Sequence, residues 1–547
     1  MKNWSARYKI TGVLLVIGAL TVAFQPTDIY FLIKKNFTIF SETYENVALE
    51  YVDQVDPEVL MRNGIDAMLE TLDPYTVYYN EAQNEQAEIL SRSNYAGIGI
   101  EAGYRDGQVV VVAPTEGGPA DNMGIRAGDI ILAIDGVMTE GLQPEEVQNL
   151  TVGEIGSTVV LSIQRFGFDQ LLEFEIERKS IEVKNVTFSD RIGPNSDIGF
   201  IRLAQFGMNS GDEIRDQIMA LNADGRMQGL VLDLRDNPGG ILQEAVKIID
   251  KFVEPGITVV ETRGRIAEYN QSYETQEPVM FDKPVVILMN GGSASASEVV
   301  AGALQDLDRA VILGERSFGK GLVQIVKPMP YNTSLKITIS RYYTPSGRSI
   351  QSVAYTHNAR NASISREETA NRVFSTRNGR PVNEGRGIEP DIIKEIETAG
   401  LLEVALYQQG SVFDFATQFE NVNESYTANE LTDEVYNEFL SFLDESDFEM
   451  HLEEEYLLDE LQASMEGINS AGPHIAGLQD AIELKKQQMF EEYESLIREI
   501  LHLELVSRYN GQTERTKASL QFDNQLKDAL DLINDDSQIE SILSGNN

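Results

Sequence analysis

The 547-residue sequence contains no cysteine, which excludes disulfides, thiolate zinc sites and a cysteine nucleophile. Histidine is scarce. The four are His357, His451, His474 and His502, and none belongs to an H-E-x-x-H, so the commonest metallopeptidase pattern is absent. None lies in a segment with the texture of an active-site loop, so a Ser-His-Asp arrangement would have to recruit a histidine from a distant stretch. Basic residues are also in short supply, 44 Lys plus Arg against 87 Asp plus Glu for a formal net charge of −43. That balance argues against nucleic acid as a partner, because phosphates need a basic surface. It is also the balance a salt-rich medium favours. No repeat of solenoid period is present, and no cluster of metal-ligand type points to a metal or cofactor.

What is present is a globular composition, 42% hydrophobic, in a chain long enough for several domains of roughly 150 residues each. Residues 1–26 read as a signal peptide or N-terminal membrane anchor: Lys2, Arg7 and Lys9 precede the apolar run Ile10 to Phe24. The run is short of the roughly 20 residues that span a bilayer. Its end, ALTVAF, has no clean Ala-x-Ala site, so cleavage and retention both stay open. Either way the remainder is expected outside the cytoplasm, in a periplasm or cell envelope. Residues 27–93 have helical spacing interrupted at Leu72-Asp73-Pro74. Over 94–167 short alternating strands are separated by glycine-bearing turns around one short helix near Pro119 to Met123. Over 168–398 strands such as GLVLDLR and PVVILMN alternate with helices such as ILQEAVKIIDKFV and SEVVAGALQDL, as βαβ units do. Residues 399–547 are acidic and helical.

Three stretches carry chemistry. In PVVILMNGGSASASEVVAGALQD (Pro284 to Asp306) a buried strand breaks at Gly291-Gly292 and a helix follows, so a serine at the junction is exposed beside a helix N-terminus. Ser295-x-x-Glu298 is equally a capping box, which accounts for both residues without catalysis. In GLVLDLRDNPGG (Gly229 to Gly240) the turn Asn237-Pro238-Gly239-Gly240 lets backbone amides approach another group closely; a plain tight turn would look the same. GERSFGKGLVQ (Gly314 to Gln324) begins like a phosphate loop, but Gly321 stands where Ser or Thr would bind magnesium, and a β-patterned segment follows. If Lys320 leads into that strand, residues 320, 322 and 324 share a face and Gln324 can steady the amine. A lysine packed closely against a nucleophile is desolvated, which makes it a proton acceptor.

Together these stretches resemble the carboxyl-terminal processing peptidases, serine proteases with a Ser-Lys pair. The resemblance runs from about Leu72 to Ile392 through LDPYTVYY, YAGIGIE, LDLRDNPGG, NGGSASASE, SFGKG, YYTPSGRSIQ (Tyr342 to Gln351) and GIEPD (Gly387 to Asp391). It implies an α/β (α+β) protease core with βαβ units, an inserted β-rich PDZ domain, and helical N- and C-terminal segments. Residue by residue, it implies Ser295 as nucleophile, Lys320 as general base and Gln324 as its orienting partner. The amides of Ala296 and of Gly239 or Gly240 would form the oxyanion hole, with Glu298 and Asp306 supporting. No metal or cofactor is implied. Tyr75 departs from the His or Phe of many relatives. GPADNMGIRAGDIILAIDG (Gly118 to Gly136) is close to the family's PDZ signature, and Ala96-Gly97-Ile98-Gly99 would be the loop that takes a peptide's terminal carboxylate. Arg165, ending the last PDZ strand, would either face the protease domain as a sensor or stand in water. The implied partners are protein or peptide substrates with apolar C-termini; a membrane tether, a homo-oligomer and an adaptor are left open. An exported PDZ scaffold with a peptide-binding pseudoprotease domain is the competing reading, and a small-molecule hydrolase, which needs no peptide module, a third.

The acidic excess generates an expectation independent of any site. Raising NaCl from 0.1 M to 1 M shortens the Debye length from about 10 Å to about 3 Å and screens repulsion among the surplus carboxylates. The thermal midpoint in scanning calorimetry is expected to hold or rise over that range; a steady fall would remove the salt-adapted reading.

Overall fold

The computed structural model of the protein describes residues 29–81, 83–84, 94–105, 107–352, 372–396, 400–427, 429–446, 448–465 and 472–545. Residues 1–26, expected to be a signal peptide or anchor, and His357 lie outside them. Among the described residues no helix is long and apolar enough to cross a membrane. The described residues divide into two units, one made of residues 29–79 and 326–337, the other of the remainder.

In the first unit Ile29–Glu50 and Pro57–Leu69 are helices. The second starts where Asp56 caps the amides of Glu58 and Val59 and proline takes the first turn. The helical expectation fails beyond the Leu72-Asp73-Pro74 turn. There Val77–Tyr79 runs as a strand, antiparallel to Thr333–Tyr343 with Val77 opposite Lys336, as suits a β-branched residue followed by two aromatics.

The second unit contains the protease core, built on a six-stranded sheet in the order Val186–Ile192, Ile198–Leu203, Gly229–Asp233, Val285–Met289, Val311–Gly314, Ile392–Ile393. The first pair is antiparallel and all later pairs are parallel, so the central strands are buried on both faces and read as continuous apolar runs. Period-two alternation then sorts their side chains. Leu230, Leu232, Val285, Ile287 and Met289 face one core with helices Ser210–Leu221, Leu242–Ile249 and Ala296–Asp306. Val231, Val286, Leu288, Val311 and Leu313 face another. The catalytic candidates lie where these parallel strands end, the usual position for a site in an open α/β sheet.

That second face is covered by the chain's own C-terminus. Helices Asn524–Ile533 and Asp536–Ser544 lay Leu526, Ala529, Leu532, Ile533, Ile539 and Ile542 on it. The tail read as one acidic helical region is therefore two things: helices between Leu401 and Ser519 with a core of their own around Phe415, Phe439 and Leu501, and a final pair that completes the protease core.

The β-rich module is a sheet in the order Ile100–Arg105, Gln108–Pro114, Ile130–Ile134, Thr158–Gln164, Leu172–Glu177, with helices Pro119–Asn122 and Pro144–Thr151. The strand-dominated texture gave no sign of the second helix. The sheet also runs past residue 167: Leu172–Glu177 pairs with Thr158–Gln164, and Lys179–Glu182 pairs with Asn94–Gly97. The helical region grips this module. Arg508, nearly fully buried, donates to Ala127 O at 2.7 Å and to Phe413 O at 3.1 Å. Arg105 donates to Gln409 O at 2.7 Å and pairs with Asp414.

Removal of residues 524–547 is expected to leave five buried aliphatic side chains of the central strands facing water, each worth about 1.5–3 kcal/mol of burial. Such a truncation should yield aggregated or protease-sensitive protein. Leu532→Asp in the full chain should lower the thermal midpoint sharply, measurable by circular dichroism, and a soluble truncated chain with an unchanged midpoint would contradict this packing.

Candidate active site

The strand Val285–Met289 delivers the chain to Asn290, from which a tight turn leads into helix Ala296–Asp306. Ser293 and Ser295 lie in that turn and Ser297 in the first turn of the helix. Ser293 Oγ donates to Leu234 O at 2.8 Å and Ser297 Oγ to Asn237 O at 2.9 Å. Both therefore stitch the turn to the Leu232 to Gly240 segment. Ser295 is the N-cap of the helix and forms the capping box with Glu298 that the sequence pattern allows, the Glu298 side chain taking the Ser295 N–H. Its backbone sits at φ 55°, ψ −110°, a conformation that costs a non-glycine residue of the order of 1–3 kcal/mol and is held only where the surroundings over-determine it.

Those surroundings centre on Glu298, which is fully buried. Its Oε2 accepts from Ser295 N and Lys320 N, both at 2.8 Å. Its Oε1 accepts from Gly319 N at 2.7 Å and Ser317 Oγ at 2.5 Å. Burial pushes the carboxyl above the usual range, and the four donors oppose that rise. One carboxylate oxygen thus touches the backbone of both the nucleophile and the base candidates. Phe318 N donates to Ser293 O at 3.0 Å, and Tyr342 N to Gly321 O at 2.9 Å, closing the lysine loop on either side of Lys320. Gln324 lies on the following strand, Leu322–Met329, where its Nε2 donates to Thr338 Oγ1 at 3.2 Å.

Gly239 packs against the same elbow. Its φ is +99°, and a Cβ there would sit 2.8 Å from both Ser295 Cβ and Ala296 N, so no other residue fits. Of the expected oxyanion donors, the Gly239 amide is turned onto Asn237 Oδ1 at 2.9 Å. Gly240 follows it in contact with Phe206, and Ala296 opens the helix after Ser295.

Asp306 lies apart from this cluster, at the far end of the same helix. Its Oδ1 is 2.9 Å from Arg348 Nη2 and its Oδ2 accepts from Ser346 N at 3.0 Å. It supports the Tyr342 to Gln351 segment. His502 is buried against Tyr426 in the helical region, and His451 and His474 belong to the same region.

In the β-rich module Ala96 and Gly97 lie in the strand Asn94–Gly97, while Ile98 is buried and Gly99 turns at φ +71°. The carbonyls of Ala96, Ile98 and Gly99 accept from Gly153 N, Ala120 N and Thr115 N. The following strand, Ile100–Arg105, is an edge of its sheet, and helix Pro144–Thr151 packs beside it. Arg165 takes neither expected role: its Nε and Nη2 each donate to Asp129 at 2.7 Å, and Nη2 also to Gly124 O. Sequence reasoning assigned no role to Ser317, which donates to Glu298; it lay inside the quoted GERSFGKGLVQ stretch, but spacing assigns no role to a side chain whose partner is distant in sequence.

Comparison with known proteins agrees with this architecture. Residues 197–359 match peptidase family S41, residues 110–165 match a PDZ domain, and residues 402–533 match the family described as "Probable PDZ-protease, C-terminal helical domain". The carboxy-terminal-processing protease of Bartonella bacilliformis is 38% identical over 326 residues, covering 59% of this chain and 74% of that one. The carboxy-terminal processing protease CtpB of Bacillus subtilis is 34% identical over 310 residues, 56% of this chain and 64% of that one. Among solved structures, a photosystem II D1 C-terminal processing protease is 27% identical with a TM-score of 0.35, covering 65% of this chain and 92% of that one. A peptidase core carrying a PDZ domain and a C-terminal helical domain, with relatives of this identity and coverage, places the chain in the carboxy-terminal processing protease family of S41 peptidases.

Proposed function

We propose that the chain is an exported serine endopeptidase that cleaves by a Ser-Lys mechanism and selects substrates through their C-terminal regions. The observation that carries the reading is the single Glu298 oxygen bonded to the amides of both Ser295 and Lys320. Ser295 Oγ attacks the scissile carbonyl and its proton passes to the neutral Lys320 amine. The tetrahedral intermediate collapses to an acyl-enzyme as the leaving amine takes that proton back. Water then repeats the sequence, with Lys320 accepting its proton and Ser295 leaving. With its Nε2 committed to Thr338, Gln324 offers Oε1 to the lysine and so orients it. With the Gly239 amide committed to Asn237, Gly240 and Ala296 are the oxyanion donors assigned here. In the PDZ domain the open edge Ile100–Arg105 receives a peptide as an added strand, and the amides of Gly97, Ile98 and Gly99 take its terminal carboxylate. The apolar run behind Lys2, Arg7 and Lys9 supports an exported or membrane-tethered location.

Purified protein incubated with an unfolded polypeptide bearing an apolar C-terminus is expected to produce discrete fragments by mass spectrometry. Ser295→Ala should abolish cleavage, and so should Lys320→Arg, because a guanidinium keeps its proton. Gln324→Ala should retain a few per cent to a few tenths of the rate, of the order of 10-fold loss for a positioning contact. Full cleavage by folded Lys320→Arg would exclude lysine as the base, and cleavage by Ser295→Ala would exclude serine as the nucleophile.

The PDZ reading is tested separately. At Gly99 a Cβ would meet Thr115 Cβ at 3.1 Å in a left-handed backbone, so Gly99→Val is strained. Cleavage of tail-bearing protein is expected to fall several-fold while cleavage of a short peptide, which reaches the site unaided, is retained. Equal loss on both substrates would count against PDZ-dependent delivery.

A further inference from the structure

We propose that Asp523, which opens helix Asn524–Ile533, is a positioning residue for the active site: through Arg235 it holds the turn Asn237 to Gly240 in place beside Ser295. The proposal rests on the Ser-Lys reading above and on Gly240 as an oxyanion donor. Arg235 stands just beyond strand Gly229–Asp233 and just before Asn237, and its guanidinium joins two distant parts of the chain. On one side Nε donates to Asp233 Oδ1 at 2.8 Å and Nη2 to Asp233 Oδ2 at 2.7 Å. On the other, Nη2 donates to Asp523 Oδ2 at 2.6 Å and Nη1 to Gln525 Oε1 at 3.1 Å. The pair is largely withdrawn from water, with 12% of the Arg235 side chain and 16% of the Asp523 side chain exposed. Gln525 is buried and donates in turn to Lys394 O at 2.7 Å.

The turn that follows Arg235 depends on outside support. Asp236 sits at φ 58°, a value a non-glycine residue keeps where its surroundings favour it, and Gly239 and Gly240 follow at φ 99° and 145°. Glycine has no backbone preference strong enough to fix the turn by itself. Residues on either side of the Arg235-Asp236 step are bonded to the Ser295 elbow: Leu234 O accepts from Ser293 Oγ, and Asn237 O accepts from Ala294 N and Ser297 Oγ. Arg235 bonds the same turn to the end of the chain. The apolar cover that the last two helices give the sheet is non-directional, whereas a forked guanidinium between two carboxylates fixes direction as well as distance. Loss of the Asp523 contact therefore displaces Arg235 and, along the short turn, the Gly240 amide that faces the developing oxyanion. Contacts to the bound substrate elsewhere are untouched, so kcat falls and KM does not.

Asp523 also caps its helix, Oδ1 accepting from Leu526 N at 2.9 Å, and Asp523→Asn separates the two roles. Asparagine caps as well as aspartate, but its amide N–H groups meet the guanidinium donor to donor. On a short peptide that reaches the site unaided, kcat per folded site is expected to fall about 10–100-fold, the scale of a displaced catalytic group, with KM held. Saturating fluorophosphonate labelling of Ser295 counts the folded sites. Arg235→Lys, which keeps a charge beside Asp233 and loses the fork, should fall similarly, and Asp523→Asn added to it should lower kcat no further. Ile539→Ala, in the last helix, is the structural control: it loosens the same cover away from Arg235, and should lower the thermal midpoint while kcat per folded site is retained. Wild-type kcat in Asp523→Asn, an additive loss in the double variant, or an equal loss in Ile539→Ala would overturn the proposal. Ser295→Ala keeps this outcome distinct from failure of the Ser-Lys reading. If cleavage and labelling vanish there while Asp523→Asn retains wild-type kcat, the positioning proposal alone fails; if they persist there, the serine assignment fails and the positioning proposal with it.

Discussion

The buried carboxylate of Glu298 is the interaction on which the rest of the site depends. A carboxylate in the interior costs several kcal/mol in lost hydration unless its lone pairs are satisfied, and here four donors from two segments more than twenty residues apart converge on it. Each of those donors would be orphaned without it, at about 1–3 kcal/mol apiece. The reciprocal dependence turns two loops into one rigid piece. It also explains how Ser295 can remain in a strained backbone: its own N–H is one of the four bonds, so relaxing the elbow would break the network.

A second buried set of charges supports the first from behind. Arg348 reaches Asp306 and Gln305, and Gln305 in turn donates to Asp391, which also receives Arg380 and the Ile312 amide. These contacts tie the end of helix Ala296–Asp306 to the Tyr342 to Gln351 and Gly387 to Asp391 segments. Gln351 Oε1 then accepts from Gly321 N at 2.8 Å, so the chain of contacts returns to the lysine loop. Removing one partner of such a pair leaves an uncompensated buried charge, which gives both segments a structural reason for their composition that is independent of any contact with substrate.

The same economy appears at larger scale. The parallel strands need apolar cover on both faces, and the last two helices of the chain supply the second cover after the intervening helices have packed among themselves and against the PDZ domain. Arg508 and Arg105 fasten that helical region to the PDZ domain, and its end is fastened to the protease sheet, for example by the Arg235 and Asp523 pair at 2.6 Å, so the helical region is bonded to both.

The sequence by itself determined a great deal. Alternating and continuous apolar runs located the strands Gln108–Pro114, Gly229–Asp233 and Val285–Met289, the glycine and serine pattern located the strand-to-helix turn at Ser295, and the family resemblance of the short motifs suggested joining Ser295, Lys320 and Gln324. Those features are local, set by periodicity and turn chemistry within a few residues. Only the tertiary structure decided the rest: that Ser293 and Ser297 bond to Leu234 and Asn237, that Glu298 gathers donors from Ser317, Gly319 and Lys320, that Asp306 supports the Tyr342 to Gln351 segment, and that Arg165 pairs inside its own module with Asp129. It also decided that the acidic tail contributes the second face of the core. Each of these is a contact between positions tens to hundreds of residues apart, chosen by which donor meets which acceptor and which apolar face needs cover once the chain has folded. Neither choice leaves a periodic trace along the sequence.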